Sequence, residues 1–203
     1  MECAGILERL KIFDIKKNDL SGDVASFSDK QLHLVEHDAE GRADIDVYLS
    51  SESVLFPHID MNRIKYLKNN CSADNIIICN MDRFPSVNIF EIKKTIKKKQ
   101  WEKIKEQFSG ALPYAAGLNG ILGSSFSPDN VVLYTIFAND YLSNPPQEDP
   151  VLSHFIPNND ELKKEWLKDK VNIDSPLGGL LKHNRIKVSL DYNGVMKGNI
   201  SIS

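Results

Sequence analysis

Cys71-Ser-Ala-Asp74-Asn75-Ile-Ile-Ile-Cys79, followed after a polar connection by Val87-Asn-Ile-Phe-Glu91-Ile-Lys93, is the stretch on which the reading of this chain turns. Both segments are short and rich in isoleucine and valine, and Asn80 to Ser86 between them carries Asp, Arg and Pro. That pattern predicts two strands of an antiparallel hairpin. Side chains alternate between faces with a period of two, so Glu91 and Lys93 share one face while Phe90 and Ile92 point to the other. With Asp74 expected opposite Lys93 and Ile76 opposite Glu91, Asp74 joins the Glu91 face; a slip of one residue would remove it. Two carboxylates and an ammonium then meet at the end of apolar strands, where unpaired buried charge is costly. The trio suits a hard cation, since magnesium takes oxygen ligands, usually one or two carboxylates with water and phosphate. A lysine alongside can hold a water that attacks phosphorus while the ion stabilises charge on the phosphate oxygens. The competing reading is a Glu91–Lys93 surface pair on an edge strand, a contact that contributes only about 0–1 kcal/mol.

At these residues the chain resembles the PD-(D/E)XK nuclease superfamily, with its restriction-endonuclease-like fold. The resemblance rests on Asp74 just before a strand, Glu91-Ile92-Lys93 as the E-x-K element, and a following helix that carries Gln100. It covers about residues 40 to 140, and Ala73 stands where the family has a proline before the first acid. It implies an α/β fold with a central mixed β-sheet flanked by helices: a restriction-endonuclease-like core over residues 1–144 and a C-terminal extension over 145–203. It also implies that Asp74, Glu91 and the backbone carbonyl of Ile92 bind Mg2+ or Mn2+. Lys93 would act on the nucleophilic water, Gln100 would support the site, and Glu8 would be a third acid of the kind some members carry. The implied activity is metal-dependent endonucleolytic cleavage of phosphodiester bonds, with DNA ahead of RNA, in a restriction or defence system. A homodimer and an ATPase or specificity protein are the implied partners. Two alternatives stay open, because fold never fixes function: a non-catalytic nucleic-acid-binding or regulatory protein on the same scaffold, and a subunit that cuts only with a partner.

A chain of 203 residues can bury one substantial core. Its 41% hydrophobic and 26% charged residues are those of a soluble globular protein, and no apolar run is long enough to cross a bilayer. The opening Met-Glu-Cys-Ala-Gly-Ile-Leu-Glu-Arg contains acids and lacks the order of a secretory signal, so a cytoplasmic location and no membrane partner are expected. Cys3, Cys71 and Cys79 form no C-x-x-C pair, which argues against a disulfide framework and a cysteine-rich zinc site. The histidines are scattered, with His33 and His37 at the one helical spacing. A net charge of -3 conceals an uneven distribution: Lys93, Lys94, Lys97, Lys98, Lys99, Lys103 and Lys105 crowd one segment, with Glu102 and Glu106 among them. Lys94, Lys97 and Lys98 are the expected phosphate contacts. Beyond Lys99, a solvated helix face with Lys–Glu pairs at i, i+4 explains the lysines equally well.

Along the chain, Ile6, Leu7, Leu10 and Phe13 predict an amphipathic helix over 2–13, and residues 16–29 read as a loop. Gln31 to Glu36 fits a short strand or a helical turn. Ala43 to Leu49 alternates as a half-buried strand whose polar face carries Asp44 and Asp46. These are the rival acids, read as solvated for want of a lysine partner. Ser53 to Ile59 reads as another strand; Pro57-His-Ile-Asp60 offers a second, less direct acid motif, and residues 62–70 read as one or two helical turns. Lys97 to Leu118 has the helical spacing Trp101, Ile104, Phe108, Leu112, with Pro113 expected to kink or split it. Asn130 to Ala138 is a continuous apolar strand, and Pro145 to Pro150 a linker or extended loop. Asp160 to Lys168 is expected to be a short helix, and Ser175 to Gly179 a turn. Arg185 to Tyr192 and Val195 to Ile202 are expected to form a terminal hairpin around Asn193-Gly194.

Overall fold

The computed structural model describes residues 16–17, 25–38, 41–59, 72–80, 84–144 and 160–202. The expected first helix with Glu8, Asp60 and the turns after it, Cys3, Cys71 and the proline-rich segment at 145–150 lie outside the described residues. In chain order the elements are β1 (Lys16–Lys17), β2 (Ser26–Ser28), β3 (Gln31–Asp38), β4 (Gly41–Leu49), β5 (Ser53–Phe56), β6 (Asn75–Cys79) and β7 (Ser86–Ile96). They continue with helix α1 (Lys98–Leu122), β8 (Val131–Asp140), helix α2 (Asp160–Trp166), β9 (Lys170–Ile173), β10 (Gly179–Lys187), β11 (Ser189–Leu190) and β12 (Met196–Ile202).

This is an α/β fold with mixed sheets and few helices. A large sheet has the order β1-β2-β5-β6-β7-β8-β10-β9, and a small one the order β11-β12-β4-β3. Strands β5, β6 and β7 form an antiparallel meander. β7 then passes through α1 to β8, its parallel neighbour, because parallel strands need a long crossover. Helices were expected to flank the large sheet; among the described residues they lie on one face of it. α1 covers one face through Trp101, Ile104, Phe108, Ala111, Leu112 and Ala115, packed on Ile76, Ile78, Ile89 and Leu133. The small sheet covers the other, where Leu34, Ile45 and Val47 meet Ile77, Phe90, Ile92 and Ile136. The strand alternation at Ile45, Val47 and Leu49 says that one face is apolar, but not whether a helix or a second sheet will cover it.

Several element readings are corrected. Residues 16–17 and 26–28 are strands rather than loop. Pro113 lies inside an unbroken α1, which runs on to a left-handed cap at Gly123 (φ 73°). Phe108 and Leu112 before it and Ala115 and Leu122 after it are all buried, so packing on the sheet offsets the lost backbone hydrogen bond. The terminal hairpin shrinks to two residue pairs, Ser189↔Lys197 and Leu190↔Met196. β10 instead pairs in parallel with β8, and β12 in parallel with β4. Residues after 145 therefore contribute strands to both sheets.

Gly198 on β12 faces Val188 so closely that a β-carbon there would lie 2.5 Å from Val188 Cγ1. Gly198→Ala is expected to destabilise the protein by about 1–3 kcal/mol, the usual cost of overpacking a core. Urea unfolding measures it, and an unchanged midpoint would contradict the close approach.

Candidate active site

The hairpin at the centre of the large sheet settles where the predicted residues fall. The ladder pairs Asn75 with Phe90, Ile76 with Ile89 and Ile78 with Val87. Continued by one pair, it sets Asp74 beside Glu91, two residues from the expected register. A two-residue slide preserves the face, so the three charged side chains still share one side. The physical reason is apolar matching: this register puts Ile76 against Ile89 instead of against Glu91, and the two acids leave the ladder together.

Asp74 is 3% exposed and Glu91 0%. Asp74 Oδ2 accepts the backbone N–H of Ile92 at 2.7 Å. The Lys93 ammonium lies 2.6 Å from Glu91 Oε1 and donates to the Ile92 carbonyl at 3.1 Å. This is not an exposed surface pair, since Glu91 is fully buried and the Lys93 side chain is 11% exposed. Like charges side by side in a sheet repel, and the Lys93 ammonium supplies cationic charge among these oxygens. A positive group already sits between the Glu91 carboxylate and the Ile92 carbonyl. Those two oxygens, with Asp74, are the residues that could hold a divalent ion. Among the described residues no cluster of three or more His, Cys, Asp or Glu side chains is disposed for a metal; this set has two carboxylates and a carbonyl.

Lys93, Lys99, Gln100 and Lys103 line one shallow cleft, so Gln100 lies beside the E-x-K lysine. α1 starts next to it with no acidic residue in its first turn, leaving the positive end of the helix dipole unopposed. Lys98 is exposed at that first turn. Lys94 points into the other layer, its ammonium 4.0 Å from the place of a β-carbon on Gly41. Lys97 stands over the Tyr141 ring, 5.9 Å from its centroid.

Residues not predicted also approach the site. Gln107, 7% exposed, donates from Nε2 to the Ser72 carbonyl at 3.4 Å, tying α1 to the chain just ahead of Asp74. A glutamine on the buried stripe between Ile104 and Phe108 was the available signal. Thr135 is aligned with Glu91 on β8, and its Oγ1 is 3.0 Å from His183 Nε2. Only the β7–β8–β10 order brings these together.

The rival acids lie elsewhere, on the outer face of the small sheet. Asp46 accepts from Gln31 at 2.8 Å and meets His33 Nδ1 at 3.1 Å. Asp44 does have a lysine partner, Lys197 of β12, besides Arg42. Burial pushes the Asp44 carboxyl upward, but the hydrogen bond and charge of Lys197, together with Arg42, outweigh it and hold the group below its usual range. Cys79 is buried, which raises its thiol, and accepts from Asn88 Nδ2 at 3.4 Å.

Comparison with protein-family models, curated proteins and solved structures finds no match. No helix among the described residues is long and apolar enough to cross a membrane.

Proposed function

We propose that this protein is a divalent-metal-dependent endonuclease of the PD-(D/E)XK type that hydrolyses phosphodiester bonds, with DNA as the first polymer to test. The observation that carries the reading is the buried placing of Asp74, just ahead of β6, beside Glu91 in the middle of β7, with Lys93 bound to Glu91 and to the Ile92 carbonyl. Structural support comes from the order of elements: strands β6 and β7, a helical crossover and a returning strand β8 in a mixed sheet accord with what the family resemblance implies.

Asp74, Glu91 and the Ile92 carbonyl would hold Mg2+ or Mn2+, which supplies charge stabilisation to the phosphate oxygens and lowers the proton affinity of water. Lys93, moved off the two oxygens it now bridges, would orient the attacking water. The Ile92 N–H fixes the Asp74 carboxylate in place. Gln100, Lys99 and Lys103 would hold the phosphate entering the cleft, with Lys98 adding charge. Lys97 follows the end of β7, whereas Lys94 faces the small sheet, away from the cleft.

The test incubates the protein with single- and double-stranded DNA and RNA in Mg2+, Mn2+ or chelator, with calorimetric titration of each ion. Cleavage and ion binding are expected in the wild type and lost in both Asp74→Ala and Glu91→Ala. Ion binding that survives in both variants, or cleavage in chelator, removes the proposal.

A further inference from the structure

Two buried polar atoms beneath α1 have no hydrogen-bond partner among the described residues: Gln107 Oε1 and Ser72 Oγ. Both side chains are deep, Gln107 being 7% and Ser72 4% exposed. The Gln107 amide is oriented by its contact with the Ser72 carbonyl at 3.4 Å, since only Nε2 can donate to a carbonyl. Oε1 is therefore the acceptor left over. Gln100, Lys103 and Gln107 follow one another at spacings of three and four residues, so they form one stripe of α1. Its first two members line the cleft with Lys93, and its third reaches Ser72. The stripe thus borders the face of the large sheet that carries Asp74, Glu91 and Lys93, the face where Ile76 and Ile89 meet α1. Asp74 stands two residues after Ser72, and Glu91 is held by Lys93.

An unpaired buried polar atom costs stability, and an excess of acceptors calls for donors. The Lys93 ammonium and the Ile92 N–H are set against two carboxylates, the Ile92 carbonyl, an amide oxygen and a hydroxyl. Magnesium bound by one or two carboxylates keeps several of its waters, and each of them is a donor. From a carboxylate oxygen through such an ion and one of its waters to the next acceptor is about 7 Å. The two chain steps from Asp74 back to Ser72 span at most about the same distance. We infer that Gln107 Oε1 and Ser72 Oγ receive water molecules of a hydrated divalent cation held by Asp74 and Glu91, and so position its water shell at the buried end of the cleft. This deepens the metal-site reading above and rests on it.

Calorimetric titration of the full chain with Mg2+ and with Mn2+, beside urea unfolding in chelator, tests this. Ser72→Ala removes the hydroxyl but leaves the carbonyl that takes the Gln107 bond. It is expected to bind both ions about 10- to 100-fold more weakly. Its urea midpoint in chelator should equal or exceed that of wild type, because an unpaired buried hydroxyl has gone. Gln107→Met is expected to weaken ion binding by a similar factor. Gln107→Glu keeps an oxygen and gives up the N–H donor, so it should bind the ions at least as tightly as wild type although its midpoint in chelator falls. A merely structural tie predicts another order, with Gln107→Glu as weak as Gln107→Met and Ser72→Ala like wild type. That order, or equal ion affinity in wild type, Ser72→Ala and Gln107→Met, overturns the assignment; the nuclease proposal then stands if Asp74→Ala and Glu91→Ala still lose the ion. A wild type that binds neither ion discards both. Ion affinity that depends on Ser72 and Gln107, in a chain that cuts no DNA or RNA, keeps the assignment and discards the nuclease.

Discussion

Lys93→Met is expected to lose about 3–5 kcal/mol of stability in chelator and to recover much of it in Mn2+ or Mg2+. Glu91 is fully buried, and its Oε1 lies 2.6 Å from the Lys93 ammonium. Breaking a buried ion pair by removing one partner costs about that much, because the remaining charge stays in a poor dielectric. A divalent ion would take over the oxygens that the ammonium now bridges. Since it binds the folded chain alone, it stabilises that state by mass action. The same variant should bind the ion at least as tightly as wild type, with its competitor gone, yet, on the nuclease proposal, turn over about 10²–10³-fold more slowly for want of the group proposed to orient water. Urea unfolding with and without metal, calorimetry and a cleavage assay read the three effects. A variant equally stable in chelator and indifferent to metal would show that Lys93 is not what balances Glu91.

Stability is expected to fall steeply on acidification through the ring of His183. This residue is 1% exposed, packed between Trp101 (centroids 5.2 Å apart) and Trp166 (5.5 Å), with Nε2 bonded to Thr135. Nδ1 is buried without a hydrogen-bond partner among the described residues. An unpartnered acceptor is cheaper to bury than an unpartnered N–H, so the single proton belongs on Nε2 and donates to Thr135 Oγ1. Burial first, and the charge of Arg185 second, lower the group from 6.5 to about 3. Below pH 6.5 the unfolded chain therefore binds a proton that the folded chain refuses. The contribution is intact above that pH and lost progressively as pH falls toward 3. Across the whole window the loss is of order 4–5 kcal/mol, at about 1.4 kcal/mol per pH unit. His183→Gln keeps a donor for Thr135 but cannot titrate, so its urea midpoint should decline far less over the same pH range. Parallel acid limbs for the two proteins would place the sensitivity elsewhere.

Much of this site was readable because period-two alternation ties residues to faces without any knowledge of partners. Asp74, Glu91 and Lys93 needed only that rule, and the register was displaced by two residues without changing their face. The strands around Ile77, Val47 and Ile136 carried their own signal in β-branched side chains, as did α1 in the spacing of Trp101, Ile104 and Phe108. What failed depended on distant residues. The unbroken helix through Pro113 is a case of packing overriding local preference, and Asp44 found its lysine at position 197. Lys94 was grouped with Lys93 by adjacency, although neighbours on a strand point to opposite layers.

The chain alone determined the types of the long, strongly patterned elements, their apolar faces and the grouping of two acids with a lysine, because these follow from local propensity and from repeat periods of two and 3.6. Only the tertiary structure decided that a second sheet rather than helices covers the far face, that residues after 145 add strands to both sheets, and that Thr135 and His183 stand behind Glu91. Those outcomes depend on which strands become neighbours. Strand neighbourhood is set by burial summed over the whole molecule, so no short stretch of residues encodes it.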